Sequence, residues 1–478
     1  MSLVRKLVLS FGVSIGQQIS IQAIKFIVQI WLARILLPEA FGLISLLAVF
    51  NSISMVLIDG GMTSSLIRSK SLDSLDYSSV FVLNALMGIF FYCLIYTSTL
   101  VFDYTVLGFP DLKVIRIYCL IIAINSFFGV HAAILTRELR FKTVFLISIP
   151  SVLISSILAI ILAKMSFGYW SLVIMHLTNA LIMAVLHWLV IDWKPSIRID
   201  KNKVLYHFSY GYKLTLSSLV ASLYQNTVRV IIGGSYSLSS LGLYYQANSM
   251  RMLIVNNLGT SINKVSFPIL SNVMSSRVAP RETYLFISKN LVYFSGIFVL
   301  FPVFFANELF DFILGPKWAK SVVLFQILGL SSFFYPPSLV ALNAIKASGR
   351  SDIYLKLELV KKAVGLAILL AMSSFGLKGI AFAVSVSMTL NAFINMVSIS
   401  KRMDIGVAVQ LRPLFVSGMI SSTILMVVKL GLEKLVTASE KLSVELVSIA
   451  FIIIIVLYFL ILQIFSLVKV DNLFKLLK

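Results

Sequence analysis

The chain has 478 residues, 59% of them hydrophobic and 12% charged, with mean hydropathy +0.98 and a formal net charge of +21 at pH 7. A soluble protein of this length needs more charge to cover its surface, so the composition excludes a soluble globular fold and implies a polytopic membrane protein. The basic excess does not point to nucleic acid, because Lys and Arg sit in short loops between apolar runs, where loops of membrane proteins collect them.

Fourteen apolar runs reach the length of a bilayer-spanning helix. They cover 11–36, 41–67, 78–102, 114–135, 144–164, 168–191, 208–232, 241–269, 286–313, 320–345, 354–374, 378–400, 410–431 and 444–468. The fold expected is therefore an all-α polytopic membrane protein of about 14 transmembrane helices. No connection between runs is long enough for a soluble catalytic domain. The first run is too long and too polar for a cleavable signal sequence.

That first run carries a lysine. Gln18, Gln22, Lys25 and Gln29 are spaced 4, 3 and 4, which places them on one face of a helix. Lys25 lies about 20 Å along the axis from Phe11 at roughly 1.5 Å per residue, too deep to reach either surface easily. An ionisable residue at such depth faces a wet cavity or a partner. The second run carries Asn51, Ser54 and Asp59; Asp59 suits either charge pairing and proton coupling or helix capping near the inner end. Cys93 and Cys119 lie in or beside apolar runs and read as small buried thiols. His131, His176, His187 and His207 are scattered, so no Cys/His metal site and no cofactor is expected. His176 and His187 on the sixth run read as packing residues.

The seventh run repeats the pattern of the first. Ser218, Ser222, Gln225 and Arg229 are also spaced 4, 3 and 4, exactly 200 residues on from the first set. The eighth run holds Asn248, Arg251, Asn256, Asn257, Asn263 and Lys264, with Arg251 at offset 200 from Asn51. Asn391 and Asn395 on the twelfth run read as hydrogen-bonding residues.

Short matches extend this repeat. "SFG" at 10–12 precedes the first run and "SYG" at 209–211 the seventh; "FGL" at 41–43 opens the second and "LGL" at 241–243 the eighth. "FGYWSL" at 167–172 and "FGLKGI" at 375–380 open the sixth and twelfth. The offsets are 199, 200 and 208. The expected organisation is two pseudo-symmetric six-helix lobes, 1–200 and 201–405, followed by two C-terminal helices in 406–478. With six helices per repeat, the lobes share one orientation about an axis along the membrane normal. One set of alternating loops, taken with the adjoining parts of the runs, holds 25 Lys/Arg and the other 10, with Lys25, Lys213, Arg229, Arg251 and Lys264 left within the runs, which places both termini in the cytoplasm.

Two cationic stripes without acids imply a central cavity lined by Lys25, Arg229 and Arg251, with Gln18, Gln22, Gln29, Ser222 and Gln225 beside them. Interhelical hydrogen bonding that only holds the bundle together is the other reading of such stripes. Cations with amides and hydroxyls suit a phosphate or diphosphate attached to a saccharide, since Lys and Arg give it charge-assisted hydrogen bonds.

Several segments carry a family likeness: "LARILLPEAFGL" (32–43), "DGGMTSSLIRSK" (59–70), "TRELRFK" (136–142), "LGLYYQANSMR" (241–251), "FPILS" (267–271), "GPKW" (315–318) and "ASGRSD" (347–352). With them the chain resembles the Wzx-type polysaccharide exporters of the multidrug/oligosaccharidyl-lipid/polysaccharide (MOP) superfamily, nearest the colanic acid and teichuronic acid export branch. The resemblance implies a two-lobed, fourteen-helix flippase, not an enzyme, in the bacterial cytoplasmic (inner) membrane. Its substrate would be an undecaprenyl-diphosphate-linked oligosaccharide repeat unit. The unit would move outward by alternating access for surface polysaccharide (O-antigen, capsule or exopolysaccharide), through a cavity lined by helices 1, 2, 7 and 8. Expected partners are that lipid-linked oligosaccharide, membrane lipids, and the polymerase and chain-length proteins of such a pathway. Where related sequences often carry an acid just before the position of Arg229, this chain has Val228, so a role for that acid does not carry over. The alternative within the superfamily, a multidrug antiporter, would want acidic or aromatic cavity residues. A glycan polymerase or ligase would want a long outer loop bearing arginines.

Overall fold

A computed structural model describes residues 20–69, 71–102, 109–276, 279–435, 444–465 and 467. All regular structure among them is helical. The order is α1 (20–35), α2 (Pro38–Asp59), α3 (Met62–Arg68), α4 (Ser74–Val101), α5 (Leu112–Ser126), α6 (Gly129–Arg137), α7 (Phe141–Lys164), α8 (Tyr169–Val190) and α9 (Lys201–Ser235). It continues with α10 (Leu238–Ser276), α11 (Pro280–Phe304), α12 (Ala306–Ile313), α13 (Ala319–Ser332), α14 (Tyr335–Ala347), α15 (Ser351–Met372), α16 (Gly376–Met403), α17 (Val407–Leu435) and α18 (Val444–Ile464). Four expected runs are each split in two, as α2–α3, α5–α6, α11–α12 and α13–α14; among the described residues every other run holds one helix. Among the described residues, eight helices are long and apolar enough to cross a membrane, or ten if the bent pairs α5–α6 and the segment Pro316–Ala347 each count as one span.

The splits have local causes. Gly60 and Gly61 have φ of +53° and +69°, the left-handed region that glycine enters without steric cost, so α2 stops there and α3 begins after the break. Pro336 and Pro337 occupy the first turn of α14, where a missing N–H is tolerated, and the chain bends by 42° between α13 and α14. Helix starts carry acidic caps. Asp73 and Asp76 form a reciprocal capping box at α4, and Asp200 accepts from the Asn202 and Lys203 backbone N–H groups at α9.

The chain forms two compact units, Met1–Gly242 and Leu243–Lys478. In the first, α7 packs on α8, α5 on α4 and α8, and α2 on α5 and α9. Phe81 is ringed edge-on by Phe127, His131, Trp188 and Trp193 at centroid distances of 5.9–6.2 Å. Two backbone approaches in this unit require glycine. A Cβ on Gly42 would lie 1.9 Å from the Leu238 carbonyl oxygen, and one on Gly211 would lie 2.2 Å from the Gly60 carbonyl oxygen. In the second unit, α11 is the hub for α13, α14 and α17. Tyr458 on α18 is buried there; its hydroxyl donates to the Tyr293 carbonyl at 2.7 Å and meets the Ser417 hydroxyl at 2.8 Å. Outward faces stay apolar, as with Phe415, Ile452 and Ile464, which suits contact with lipid.

α9 and α10 differ from their neighbours. They run 35 and 39 residues, roughly 50–60 Å at 1.5 Å per residue, yet neither is among the apolar spans, because polar and charged side chains interrupt them. Lys361, counted above with an inner loop, in fact lies inside α15, buried and paired with Glu358.

Candidate functional site

Lys25 sits in the second turn of α1. It is exposed and has no acidic partner among the described residues. His176 on α8 lies within electrostatic reach of it, with its ring edge-on to Tyr118 at 5.9 Å. Gln22 and Gln29 are partly buried, one turn below and above the lysine. Gln18 lies outside the described residues.

Arg229 on α9 is partly buried and held by an amide. Its Nη1 donates to Asn226 Oδ1 at 3.0 Å. Asn226 Nδ2 donates to Ser52 Oγ on α2 at 2.8 Å and to the Ser222 carbonyl at 2.9 Å. Ser52 in turn donates to the Val49 carbonyl at 3.0 Å. Gln225 is exposed and Ser222 partly buried beside this chain of bonds. Sequence spacing found Ser222, Gln225 and Arg229 but passed over Asn226 and Ser52. A signal was present, because "NTVR" (226–229) and "NSMR" (248–251) both place Asn one helical turn before Arg.

Arg251 shows the second use of that spacing. Its Nε and Nη2 donate to Asn248 Oδ1 at 3.2 and 2.7 Å, and the guanidinium lies against the sulfurs of Met252 and Met388. At 6% exposure it faces protein. Asp59 accepts the Thr63 backbone N–H at 3.2 Å across the Gly60–Gly61 break, a capping contact at the start of α3. Asn395 is bonded within the protein, to Ser338 Oγ at 2.9 Å and Lys361 at 3.2 Å.

One cluster resembles hydrolytic machinery. Ser65 Oγ lies 2.8 Å from His207 Nδ1, and His207 Nε2 lies 3.3 Å from Asp76 Oδ1. Burial argues against that chemistry: Ser65 is 3% exposed and His207 fully buried, so no substrate carbonyl reaches the hydroxyl. Lys203 completes the cluster, reaching Asp73 at 2.8 Å and Asp76 at 2.9 Å. These contacts bolt the start of α9 to α3 and α4. No group of three or more His, Cys, Asp or Glu able to hold a metal occurs among the described residues.

Fold and site together define a polytopic helical membrane protein with cations and amides on helix faces. Its fold is that of a solved lipid II flippase, MurJ in an inward closed conformation, with a TM-score of 0.74 at 15% identity over 95% of this chain and 98% of that one. Residues 31–323 match the polysaccharide biosynthesis protein family, and the chain belongs to it. Among curated relatives, the teichuronic acid biosynthesis protein TuaB of Bacillus subtilis (strain 168) is 23% identical over 304 residues, covering 62% of each chain. The succinoglycan biosynthesis transport protein ExoT of Rhizobium meliloti (strain 1021) is 24% identical over 342 residues, covering 69% of this chain and 67% of its own. The match thus spans less than two thirds of TuaB.

Proposed function

We propose that this protein is a flippase that carries undecaprenyl-diphosphate-linked oligosaccharide repeat units from the inner to the outer leaflet of the cytoplasmic membrane, for surface polysaccharide synthesis. It moves its substrate without chemical change. Lys25 and Arg229 receive the diphosphate, while Gln18, Gln22, Gln29, Ser222 and Gln225 meet the sugars. Arg251, sealed against Met388, reaches substrate only after α10 moves away from α16. The observation that carries this reading is the exposed, acid-free Lys25 on α1, within a family named for polysaccharide biosynthesis. A lysine at the centre of a bilayer costs about 2.5–3.5 kcal/mol on insertion scales, so it is retained where a wet path and an anion offset that cost. The cationic character also separates this site from one built for cationic drugs.

Two lobes, 1–200 and 201–405, with 406–478 as an addition, belong to the same reading. It is supported by equal bends of 42° at α5–α6 and α13–α14, the fourth and tenth of the runs expected from the sequence. Cytoplasmic termini follow from the basic asymmetry, 24 to 10 once Lys361 is left out, and the polymerase and chain-length proteins of the pathway are proposed partners.

The test is glycan display at the cell surface, normalised to inserted protein, in a strain lacking the native copy. Lys25→Arg retains much of the export, Lys25→Ala loses most of it, and Lys25→Glu abolishes it at normal protein levels. Wild-type export per molecule by both Lys25→Glu and Arg229→Glu would show that the stripes are structural.

A further inference from the structure

Arg229 needs a fixed direction to receive an anion, and its surroundings supply one without a carboxylate. A guanidinium has donors only, so the side-chain atom facing it must be an acceptor. The Ser222 carbonyl has lone pairs only, so the atom facing that must be a donor. Asn226 meets both demands at once, with Oδ1 toward Arg229 and Nδ2 toward the Ser222 carbonyl and Ser52, and this fixes which way its amide points. Asn226 is 4% exposed, so few other orientations are open to it.

We infer that Asn226 is a positioning residue for the cationic site: its amide orients the Arg229 guanidinium without cancelling its charge, and through Ser52 it ties that orientation to the packing of α9 on α2. An acid at this place would form an ion pair and consume the charge that the ligand needs. An amide holds the same geometry and leaves the net charge at +1. Asn248 stands to Arg251 as Asn226 stands to Arg229, so the chain uses the device twice. Ser52 uses its own proton on the Val49 carbonyl, which leaves its lone pairs to accept from Asn226. Movement of α9 against α2 breaks the Asn226–Ser52 bond and leaves Asn226 tied only to the Ser222 carbonyl on its own helix, which loosens the hold on Arg229 and couples anion binding to helix packing.

This inference rests on Arg229 receiving the diphosphate, and the experiment separates the two. The full chain is reconstituted in lipid nanodiscs, with farnesyl diphosphate as the probe and farnesol as the uncharged control. Arg229→Ala is expected to weaken farnesyl diphosphate binding by about tenfold, the loss of one charge-assisted contact. Asn226→Asp is expected to match that loss, because the carboxylate takes the guanidinium, and Asn226→Ala to lose about three- to fivefold. The double variant Asn226→Ala/Arg229→Ala should bind no more weakly than Arg229→Ala alone, the signature of coupled residues. Farnesol binding should not change, whereas a merely structural role would alter both ligands together. Wild-type diphosphate binding by Asn226→Asp, with Arg229→Ala weakened, overturns the positioning role and leaves the site standing. Wild-type binding by Arg229→Ala overturns the site, and the inference with it. If the Asn226 variants fail to assemble, Ser52→Ala serves: it keeps Asn226 and removes its anchor on α2. A two- to threefold loss, about that of one neutral hydrogen bond to a side chain already half held, supports the link, and wild-type binding removes it.

Discussion

Lys25 and Arg229 have different surroundings. The lysine stands exposed on α1, while the arginine is held through Asn226 to α2. A free ammonium on a flexible stem can follow a moving anion; a planar, anchored guanidinium sets a direction. The other polar cluster in this unit, Ser65–His207–Asp76, has hydrolytic connectivity and no access. Ser65→Ala is therefore expected to leave glycan export within about twofold of wild type, since it deletes one buried hydroxyl bond. A fluorophosphonate probe should not label the native protein, and mass spectrometry should find the exported lipid-linked glycan unchanged in mass. Labelling at Ser65 would argue for catalysis.

At the scale of helices, the seams of the first unit depend on absent side chains. A Cβ on Gly42 would meet the Leu238 carbonyl at 1.9 Å, and one on Gly242 the Pro38 carbonyl at 1.8 Å. Backbone cannot retreat as a flexible side chain does, so Gly42→Ala must separate the starts of α2 and α10. The expected loss is about 1–3 kcal/mol, as for other overpacked sites, seen as a lower Tm in detergent. An unchanged Tm would mean that the two helix starts do not hold this contact. The bolt at the start of α9 is electrostatic. A hydrogen bond from the Lys203 ammonium holds the Asp73 carboxyl well below the usual carboxylate range. The folded form thus binds fewer protons than the unfolded one in acid, where a free Asp titrates near about 3.9. Its contribution is present above that pH and is lost as pH falls through the folded value. Asp73→Asn should accordingly flatten the acid side of the Tm–pH curve below about pH 4. The effect should be small, because the Asp73 side chain is 61% exposed.

For the molecule as a whole, orientation rests on charge and can be read chemically. In a background with Cys93→Ser and Cys119→Ser, a cysteine at Ser196 or Lys401 should resist impermeant thiol reagents in intact cells, and one at Lys320 should label. All three side chains are exposed, so access depends on the membrane alone. Ser321 is unsuited to this test, because it is buried and donates to the Leu243 carbonyl at 3.0 Å. Strong labelling at Ser196 would reverse the topology.

The all-helical membrane fold and the spacing of Lys25 and Arg229 were legible in the sequence, but the helix ends were not, since α9 starts at Lys201 rather than 208 and α10 continues to Ser276 rather than 269. Hydropathy and a period of 3.6 residues are local properties, and the bilayer enforces them segment by segment. Helix breaks at Gly60–Gly61 and near Pro336 were also written locally, though the run lengths concealed them. Tertiary structure alone decided that Arg229 leans on Asn226 and Asn226 on Ser52, that Arg251 is sealed by Met388, and that Lys361 pairs inside α15. Only tertiary structure, too, brought Ser65 to a histidine 142 residues away and Gly42 against Gly242. The reason is physical. In a bilayer, lipid and protein neighbours are equally apolar, so hydropathy places a helix in the membrane but does not say which face meets which partner. That choice falls to small residues and single hydrogen bonds, whose partners lie far apart along the chain.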